Sequence, residues 1–333
     1  MVSRPYTVLI LIVSKSSAAD LTDNFASRSN RKVIFDMNYL TILHEPDVDL
    51  DCLIIAFSGW ADAGESATSA IKFMQRQLGA KKFAEIDPEE FYDFTQTRPY
   101  TSRTRDGRRR VQWPENEFSY WVGPGSSKGA MTFIGVEPNL KWRTYSNTII
   151  ELAIKHGVKK VIHIGALLDA VPHSRDVKLT GASTDPEQQK TLEEAGIHSS
   201  NYQGPTGISS AMMEACANQG IEYLSLWGHT SHYLQAAPNY RIGYTLTKYL
   251  SNMLGLDMDL SELKTAAATF DEEVVKAIAR DDQLTTYVQK LESQYDESTP
   301  VTEMPEPAEM VRDLEQFLRS EQRRRPGDTP QAD

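Results

Sequence analysis

The chain has 333 residues, a net charge of −11 at pH 7 and two cysteines, Cys52 and Cys216. This length suits one large α/β domain with a helical appendage, or two small domains, and a core that needs no disulfides. The negative charge argues against general nucleic-acid binding, which depends on neutralising phosphates, and so few cysteines indicate a reducing, cytoplasmic location.

Residues 1–36 are expected to form an extension outside the folded core. An apolar run at 7–13 follows Arg4, but it is far shorter than the roughly 20 residues that a membrane helix needs. No good cleavage site of a secretory signal follows before Leu21. We therefore expect a disordered extension, or a start codon assigned too early, and no membrane segment.

Residues 53–78 predict a strand, a loop and a helix. The continuous apolar run at 53–57 is typical of a strand buried on both faces. Gly59 and Gly64 allow a tight turn, and Asp62 suits the cap of the following helix. That helix is predicted from apolar residues at helical spacing: Ala67, Ala70, Ile71, Met74 and Leu78.

The rest of the first 256 residues continues the alternation of strands and helices. Core strands are predicted at 131–134, 160–168 and 221–227, and helices at 138–156, 185–196, 207–218 and 239–254. Shorter strands are expected at 83–86 and 177–180, a further one at 91–94, and a hairpin or edge segment from 111–113 and 118–122. This alternation predicts an α/β core domain over 37–256, with a mostly parallel sheet covered by helices.

The composition becomes helical and charged from residue 257 onward. Helices at 259–280 and 282–295 predict a helical subdomain over 257–297. A proline-bearing linker at 298–307, a charged amphipathic helix at 308–325 and a disordered tail at 326–333 are expected to follow. The last helix suggests a segment that docks on the body or on a neighbouring subunit.

The candidate functional residues follow the core strands. Ligands of open α/β sheets bind beyond the carboxyl ends of parallel strands. We expect the four core strands to lie side by side, so that their loops share one rim. The candidate ligand-binding residues are Gly59, Trp60, Asp62, Gly64, His173, Arg175, Gly204, Thr206, Gly207 and His232.

Two of these loops allow more than one interpretation. The amides at the helix start after Gly204 and Gly207 could hold a phosphate or carboxylate, with Thr206 and Ser209 adding hydroxyls, or could form an ordinary cap. Asp62 fits a helix cap better than a catalytic acid.

The loop at 169–175 has a similar ambiguity. Asp169, His173 and Arg175 could form a polar group, since histidine titrates near neutral pH and arginine binds anions through two hydrogen bonds. Alternatively, Arg175 braces Asp169 or Asp176 structurally.

The remaining histidines give weaker signals. His229 and His232 are three residues apart, but no third ligand accompanies them, so no metal site is predicted. His163 lies inside an apolar strand and is expected to be a core histidine.

Six arginines occur within residues 98–110: Arg98, Arg103, Arg105, Arg108, Arg109 and Arg110. A solvated hairpin with Asp106-Gly107 as its turn is one explanation. A loop that binds polyanions or acidic partners is the other.

Glycine-rich residues 123–129 lack the lysine and hydroxyl ending of a phosphate-binding loop and are expected to form a hairpin turn. The chain also lacks a dinucleotide fingerprint, a nucleophile elbow and a cysteine zinc site. We therefore name no cofactor and no catalytic residue.

A series of short motifs resembles one known family. It begins with Gly-Trp-Ala-Asp-Ala-Gly at 59–64 and includes 87–94, 98–99, 135–142, Val-Pro-His-Ser-Arg at 171–175, Tyr-Gln-Gly-Pro-Thr-Gly-Ile at 202–208, 232–234 and 288–297. In this order they resemble the proteasome assembly chaperone 2 family, particularly its bacterial members. The resemblance implies a fold similar to purine nucleoside phosphorylases, a homo-oligomer such as a trimer, and no established reaction.

Two functions follow from this resemblance and from the loops. The first is a non-enzymatic interaction or assembly-chaperone-like protein, with itself and an unidentified protein as partners. Family members that dock on proteasome rings end in a hydrophobic-Tyr-x tail, whereas this chain ends Thr-Pro-Gln-Ala-Asp, so docking through the C-terminus is not expected. The alternative is a binder or enzyme acting on a nucleoside or phosphate compound.

Overall fold

The computed structural model describes residues 39–123, 128–234 and 236–297, and every structural statement below refers to these residues. The predicted extension at 1–36, linker at 298–307, helix at 308–325 and tail at 326–333 lie outside them, as does the middle of the predicted turn at 123–129. The proposed domain boundaries therefore stay predictions.

The described residues alternate between strands and helices for most of their length. The strands are β1 (Leu40–Ile42), β2 (Asp49–Ser58), β3 (Lys81–Ile86), β4 (Tyr100–Arg103), β5 (Arg109–Gln112), β6 (Glu117–Val122), β7 (Lys128–Val136), β8 (Lys160–Asp169), β9 (Leu179–Ser183) and β10 (Glu222–Ser231). The helices are α1 (Ser66–Leu78), α2 (Trp142–Lys155), α3 (Pro186–Glu194), α4 (Ile208–Gln219), α5 (Tyr240–Leu254), α6 (Ser261–Ile278) and α7 (Asp282–Glu297). None of these helices combines the length and the apolar character that crossing a bilayer requires.

The main sheet has the order β1-β3-β6-β7-β2-β8-β10-β9. Its four central strands, β7, β2, β8 and β10, are parallel neighbours, and antiparallel strands extend both edges. These four are the predicted core strands, so the α/β fold with a parallel central sheet covered by helices is confirmed. Their carboxyl ends lie at one rim, as expected.

Alternate residues of β2 show how the two faces are covered. Leu53, Ile55 and Phe57 pack into a cluster that includes residues of α2 and α4, whereas Ile54 and Ala56 pack into a cluster with residues of α1 and α5. All five side chains are fully buried. Burying a side chain of leucine, isoleucine or phenylalanine contributes roughly 1.5–3 kcal/mol, which is why the run is apolar without alternation.

Helices α6 and α7 pack beside the rim. Phe270, Val274, Ile278 and Val288 form a small apolar cluster, and Tyr233 of the loop after β10 packs against it. The rim therefore has a helical wall on one side.

The strand predicted at 91–94 is wrong, and so is the hairpin alternative for 111–113 and 118–122. Residues 91–94 form turns instead of a strand, because the Asp93 carboxylate accepts hydrogen bonds from the amide and hydroxyl of Thr95 and so favours a turn. Residues 111–113 and 118–122 do not pair with each other: β5 pairs with β4 in a separate two-stranded sheet, and β6 joins β3 and β7 in the main sheet.

Candidate functional site at the sheet rim

The four central strands end at Ser58, Val136, Asp169 and Ser231. Residues at and near these strand ends form two groups of contacts. We call the first, made of Trp60, Glu137, Gly207 and Ile208, the α4 corner. We call the second, made of Asp169, Thr180, His229 and His232, the histidine cluster.

In the α4 corner, the start of α4 is capped by a carboxylate from the chain itself. Glu137 Oε1 accepts a hydrogen bond from the Ile208 amide at 2.8 Å. A side chain at Gly207 would put Cβ 2.9 Å from that oxygen and 3.1 Å from the Trp60 ring. A side chain at this position would have to displace the Glu137 carboxylate, and the position predicted to bind an external anion already holds Glu137.

The other candidate residues of this region have local structural roles. Gly59 has a φ of 116° and lies beside Glu137, and Gly64 has a φ of 61° and lies beside Asn239. Gly204 lies against the Tyr202 hydroxyl. The Thr206 hydroxyl is hydrogen bonded to the Ser210 hydroxyl within one turn of α4.

Asp62 has the position of the predicted helix cap. Its Oδ1 accepts from the amides of Ala67 at 2.6 Å and Thr68 at 3.3 Å, and its Oδ2 accepts from the Thr68 hydroxyl at 2.5 Å. Burial raises the pKa of Asp62 above its ordinary value, and these hydrogen bonds oppose that rise. The carboxylate points into α1, so it is engaged in structure.

The histidine cluster contains a continuous chain of hydrogen bonds. Asp169 Oδ2 lies 2.7 Å from His229 Nδ1, and His229 Nε2 lies 2.9 Å from the Thr180 hydroxyl. Lys178 Nζ lies 3.3 Å from the same carboxylate oxygen. Asp169 and His229 are buried, whereas Thr180 is half-buried at the edge of the sheet.

The protonation states of Asp169 and His229 follow from the groups around them. Burial works against ionisation of Asp169, but His229 and Lys178 outweigh it and hold the pKa of Asp169 at about 2. Burial lowers the pKa of His229 despite the neighbouring carboxylate. At neutral pH a neutral His229 therefore donates from Nδ1 to Asp169 and accepts from Thr180 at Nε2.

His232 and His173 link the rim loops to their neighbours. The Nδ1 atom of His232 lies 3.1 Å from the Asp169 carbonyl, and its Nε2 atom lies 3.1 Å from the Tyr287 hydroxyl of α7. His173 Nδ1 lies 2.8 Å from the Tyr233 hydroxyl. Burial and the nearby charge of Arg241 lower the pKa of His173.

Arg175 binds carboxylates of α7 from the same chain. Its Nε and Nη2 atoms donate to the two oxygens of Asp296 at 2.9 and 2.7 Å, and Nη1 lies 3.4 Å from Glu292. The bidentate geometry expected for anion recognition is present, but its partner is neither an external anion nor Asp169 or Asp176.

Arg241 of α5 joins the loop at 169–175 to α6. Its Nη1 donates to the His173 carbonyl at 2.5 Å, its Nη2 donates to the Arg175 carbonyl, and Nη1 lies 3.3 Å from Asp271. The cavity beside it is about 20 Å³ and is lined in part by His173, His229 and Phe270. That volume holds about one water molecule and is far too small for a nucleoside.

Sequence reasoning missed several residues of the rim, namely Glu137, Thr180, Arg241 and Asp296. Each meets its partner from a distant part of the chain, so no local spacing signals it. Among the described residues, no three histidine, cysteine, aspartate or glutamate side chains are grouped as a metal site requires.

Comparison with known proteins gives the family. The sequence matches the PAC2 family over residues 56–278, and the chain belongs to that family. A PAC2 family protein from Streptomyces avermitilis is 31% identical, with a TM-score of 0.65 over 72% of this chain and 99% of that one. A proteasome-assembly chaperone homologue from Mycobacterium tuberculosis is 32% identical, with a TM-score of 0.64 over 71% and 99% of the two chains.

A protein of unknown function from Corynebacterium glutamicum is 21% identical, with a TM-score of 0.70 over 78% of this chain and 97% of that one, and shares the fold. None of the curated proteins compared with the sequence matches it.

Proposed function

We propose that this PAC2 family chain is a non-enzymatic protein-interaction protein with an assembly-chaperone-like role. The relative from Mycobacterium tuberculosis, described as a proteasome-assembly chaperone homologue, supports the role. The proposal depends on how the rim residues are engaged. The carboxylates of Glu137, Asp296 and Asp62 bind groups of the chain itself at the positions where a small anion would bind or react. The Trp60 side chain, in contrast, faces solvent.

Trp60 is the residue best placed to contact a partner. It is 60% exposed although it is large and apolar, and its ring lies beside Gly207 at the start of α4. Tryptophan is enriched at the energetic centres of protein interfaces, because its ring buries a large area at low entropic cost. A partner that covers the α4 corner would bury this ring.

Partner capture with a Trp60 variant tests the proposal. Immobilised full-length protein is incubated with lysate of its source organism, and bound proteins are quantified for wild type, Trp60→Ala and Met213→Ala. Met213 on α4 is a matched control, since it is also exposed (47%) and apolar. We expect a partner whose recovery falls at least about tenfold with Trp60→Ala only, equivalent to 1.4 kcal/mol. Equal recovery by all three proteins, or no partner at all, would contradict the proposal.

Self-association is part of the same proposal. A homo-oligomer such as a trimer follows from the family resemblance, and native mass spectrometry of the full chain measures it directly. A monomer at micromolar concentration would remove this part and leave the capture experiment unaffected.

The second candidate function is an enzyme, and one observation favours it. The Asp169–His229–Thr180 chain has the order of carboxylate, imidazole and hydroxyl that activates nucleophiles in hydrolases. In such a reaction the Thr180 oxygen would attack an ester carbonyl while His229 Nε2 takes the hydroxyl proton. The alcohol would leave with that proton, and water would then hydrolyse the acyl-threonine ester to the free acid and Thr180. Thr180 does not line the small cavity beside Arg241, so the substrate of this reaction would have to approach from outside that cavity.

A screen with activated esters tests this second candidate. Hydrolysis by wild type that is lost in Thr180→Val, and kept in the exposed control Thr265→Val, would favour the enzyme. Background rates for all three proteins would remove it.

A further inference from the structure

The hairpin formed by β4 and β5 lies apart from the main sheet as a two-stranded sheet of its own. Its base is fixed where Trp113 packs against Phe94 with ring centroids 4.8 Å apart. Its turn is closed by hydrogen bonds between Thr104 and Arg108 and between Gly107 and Thr104, both 2.9 Å, and Gly107 has a φ of 83°. The hairpin predicted from Asp106-Gly107 is therefore confirmed.

The register of the hairpin places two like charges face to face. Arg103 is directly opposite Arg109, and directly opposed residues of an antiparallel pair project on the same face with Cβ atoms about 4.5–5.5 Å apart. Like charges in this arrangement destabilise a hairpin. Because this exposed arginine pair lowers the stability of the hairpin, its presence is better explained by contact with another molecule.

No carboxylate of the described residues neutralises this pair. Arg103 and Arg109 are exposed and make no ion pair within the described part of the chain, whereas Asp106 contacts Arg108 at 3.1 Å. Arg105 in the turn is likewise exposed and unpaired among the described residues. The hairpin thus offers guanidinium groups whose hydrogen-bond donors face solvent.

Apolar groups and open backbone edges accompany this charge. Tyr100 is 78% exposed and Val111 is 48% exposed, and Val111 projects on the same face as Arg109, two residues away. Among the residues that the structure describes, no third strand pairs with either strand of this sheet, so both have a free edge. Free edges of this kind accept an added strand from another polypeptide.

We propose that the β4–β5 hairpin binds an acidic, extended polypeptide segment of a partner protein. The segment adds along the outer edge of one strand, and carboxylates at its alternate positions project on the face that carries Arg103 and Arg109, where a guanidinium and a carboxylate pair through two hydrogen bonds. This proposal rests on the proposed interaction function and names the partner's chemistry. A polypeptide fits better than nucleic acid, because only a polypeptide has the backbone amides and carbonyls that complete the strand edge.

Fluorescence anisotropy with the full chain tests the proposal. The probe is a short labelled peptide of alternating glutamate and threonine, titrated at low and high salt. The test variant is Arg103→Gln/Arg109→Gln, and the matched control is Arg143→Gln/Arg280→Gln, two exposed arginines that make no ion pair among the described residues. We expect the test variant to bind at least about tenfold more weakly and the control to stay within about twofold, with weaker binding at high salt.

Thermal unfolding separates lost binding from lost folding. Because the test variant removes a like-charge pair, its unfolding midpoint should equal or exceed that of wild type. Unchanged peptide affinity, an equal loss in the control, or tighter binding of single-stranded DNA with the same number of charges would overturn the proposal. The outcome is independent of Trp60, so failure of the hairpin and failure of the proposed function are distinguished.

Discussion

Individual carboxylates at the rim stabilise backbone amides of the chain itself. Asp62 caps the first turn of α1, and Glu137 caps α4. The first contact could be predicted, because Asp62 lies a few residues before the helix. The second could not, because Glu137 and Ile208 are 71 residues apart and only the parallel alignment of β7 with its neighbours brings them together.

Replacement of Asp62 should cost more stability than replacement of an ordinary cap. Asp62→Ala leaves two amides and one hydroxyl of buried residues without an acceptor, so we expect a loss of about 2–4 kcal/mol in the free energy of unfolding. Asp185→Ala is the control, since Asp185 accepts one amide at α3 and is only half-buried, and about 1 kcal/mol is expected. Urea denaturation measures both, and equal losses would contradict the buried role of Asp62.

At the scale of elements, composition predicted the strands that are buried on both faces and their shared rim. It failed where an element depends on a distant partner. Residues 40–42 form a strand only because Leu40 pairs with Ile86, and the three-residue segment carries no pattern of its own. Residues 109–112 have too little alternation of apolar and polar side chains to predict whether they pair with β4 or with β6. The Asp106-Gly107 turn determines that they pair with β4.

The candidate site was predicted in the same partial way. The loops were located because parallel strands end at one edge, but their contacts were not. Thr180 comes from the antiparallel edge strand β9, which aligns it with β10, and Asp296 comes from the end of α7. Sequence spacing contains no information on either contact.

Helix α5 should hold the 169–175 loop through Arg241. Arg241→Lys removes the planar fork that reaches the carbonyls of both His173 and Arg175, and a lysine ammonium cannot reproduce both contacts. We expect faster amide hydrogen exchange at 173–176 and in α6. Arg76→Lys is the control, since Arg76 also contacts α6, through Glu262, but that pair is exposed and worth little. Unchanged exchange at 173–176 in Arg241→Lys would contradict this role.

At the scale of the whole molecule, four separate parts of the fold hold a histidine whose neutral form is favoured, three of them buried and His173 half-buried. Burial lowers the pKa values of His156 after α2, His163 in β8, His173 in the rim loop and His229 in β10. The effect is largest at His163, which is fully buried and whose pKa falls to about 3. Acid should therefore weaken the fold at both the core and the rim.

The sign and size of this effect follow from linkage. An unfolded His163 takes up a proton below about pH 6.5, whereas the folded side chain stays neutral down to about pH 3. Stability is therefore complete above pH 6.5 and falls continuously as the pH is lowered, by about 2 kcal/mol at pH 5 from His163 alone. Asp169, with a pKa of about 2, stays ionised in this range and adds nothing to the change.

Chemical denaturation at pH 7.5, 6 and 5 measures this dependence, with His163→Gln as the variant that cannot titrate. Glutamine will lower stability at every pH, so the informative quantity is the change in free energy of unfolding between pH 7.5 and 5. Wild type should lose about 2 kcal/mol more than the variant over that interval. Equal losses would mean that the pKa of His163 is the same in the folded and unfolded states, which contradicts a core position surrounded by Phe57, Tyr223 and Trp227. A difference of the expected size would assign the acid sensitivity of the fold to His163 in the central strand β8. The binding experiments should then be done at neutral pH, where the fold is most stable.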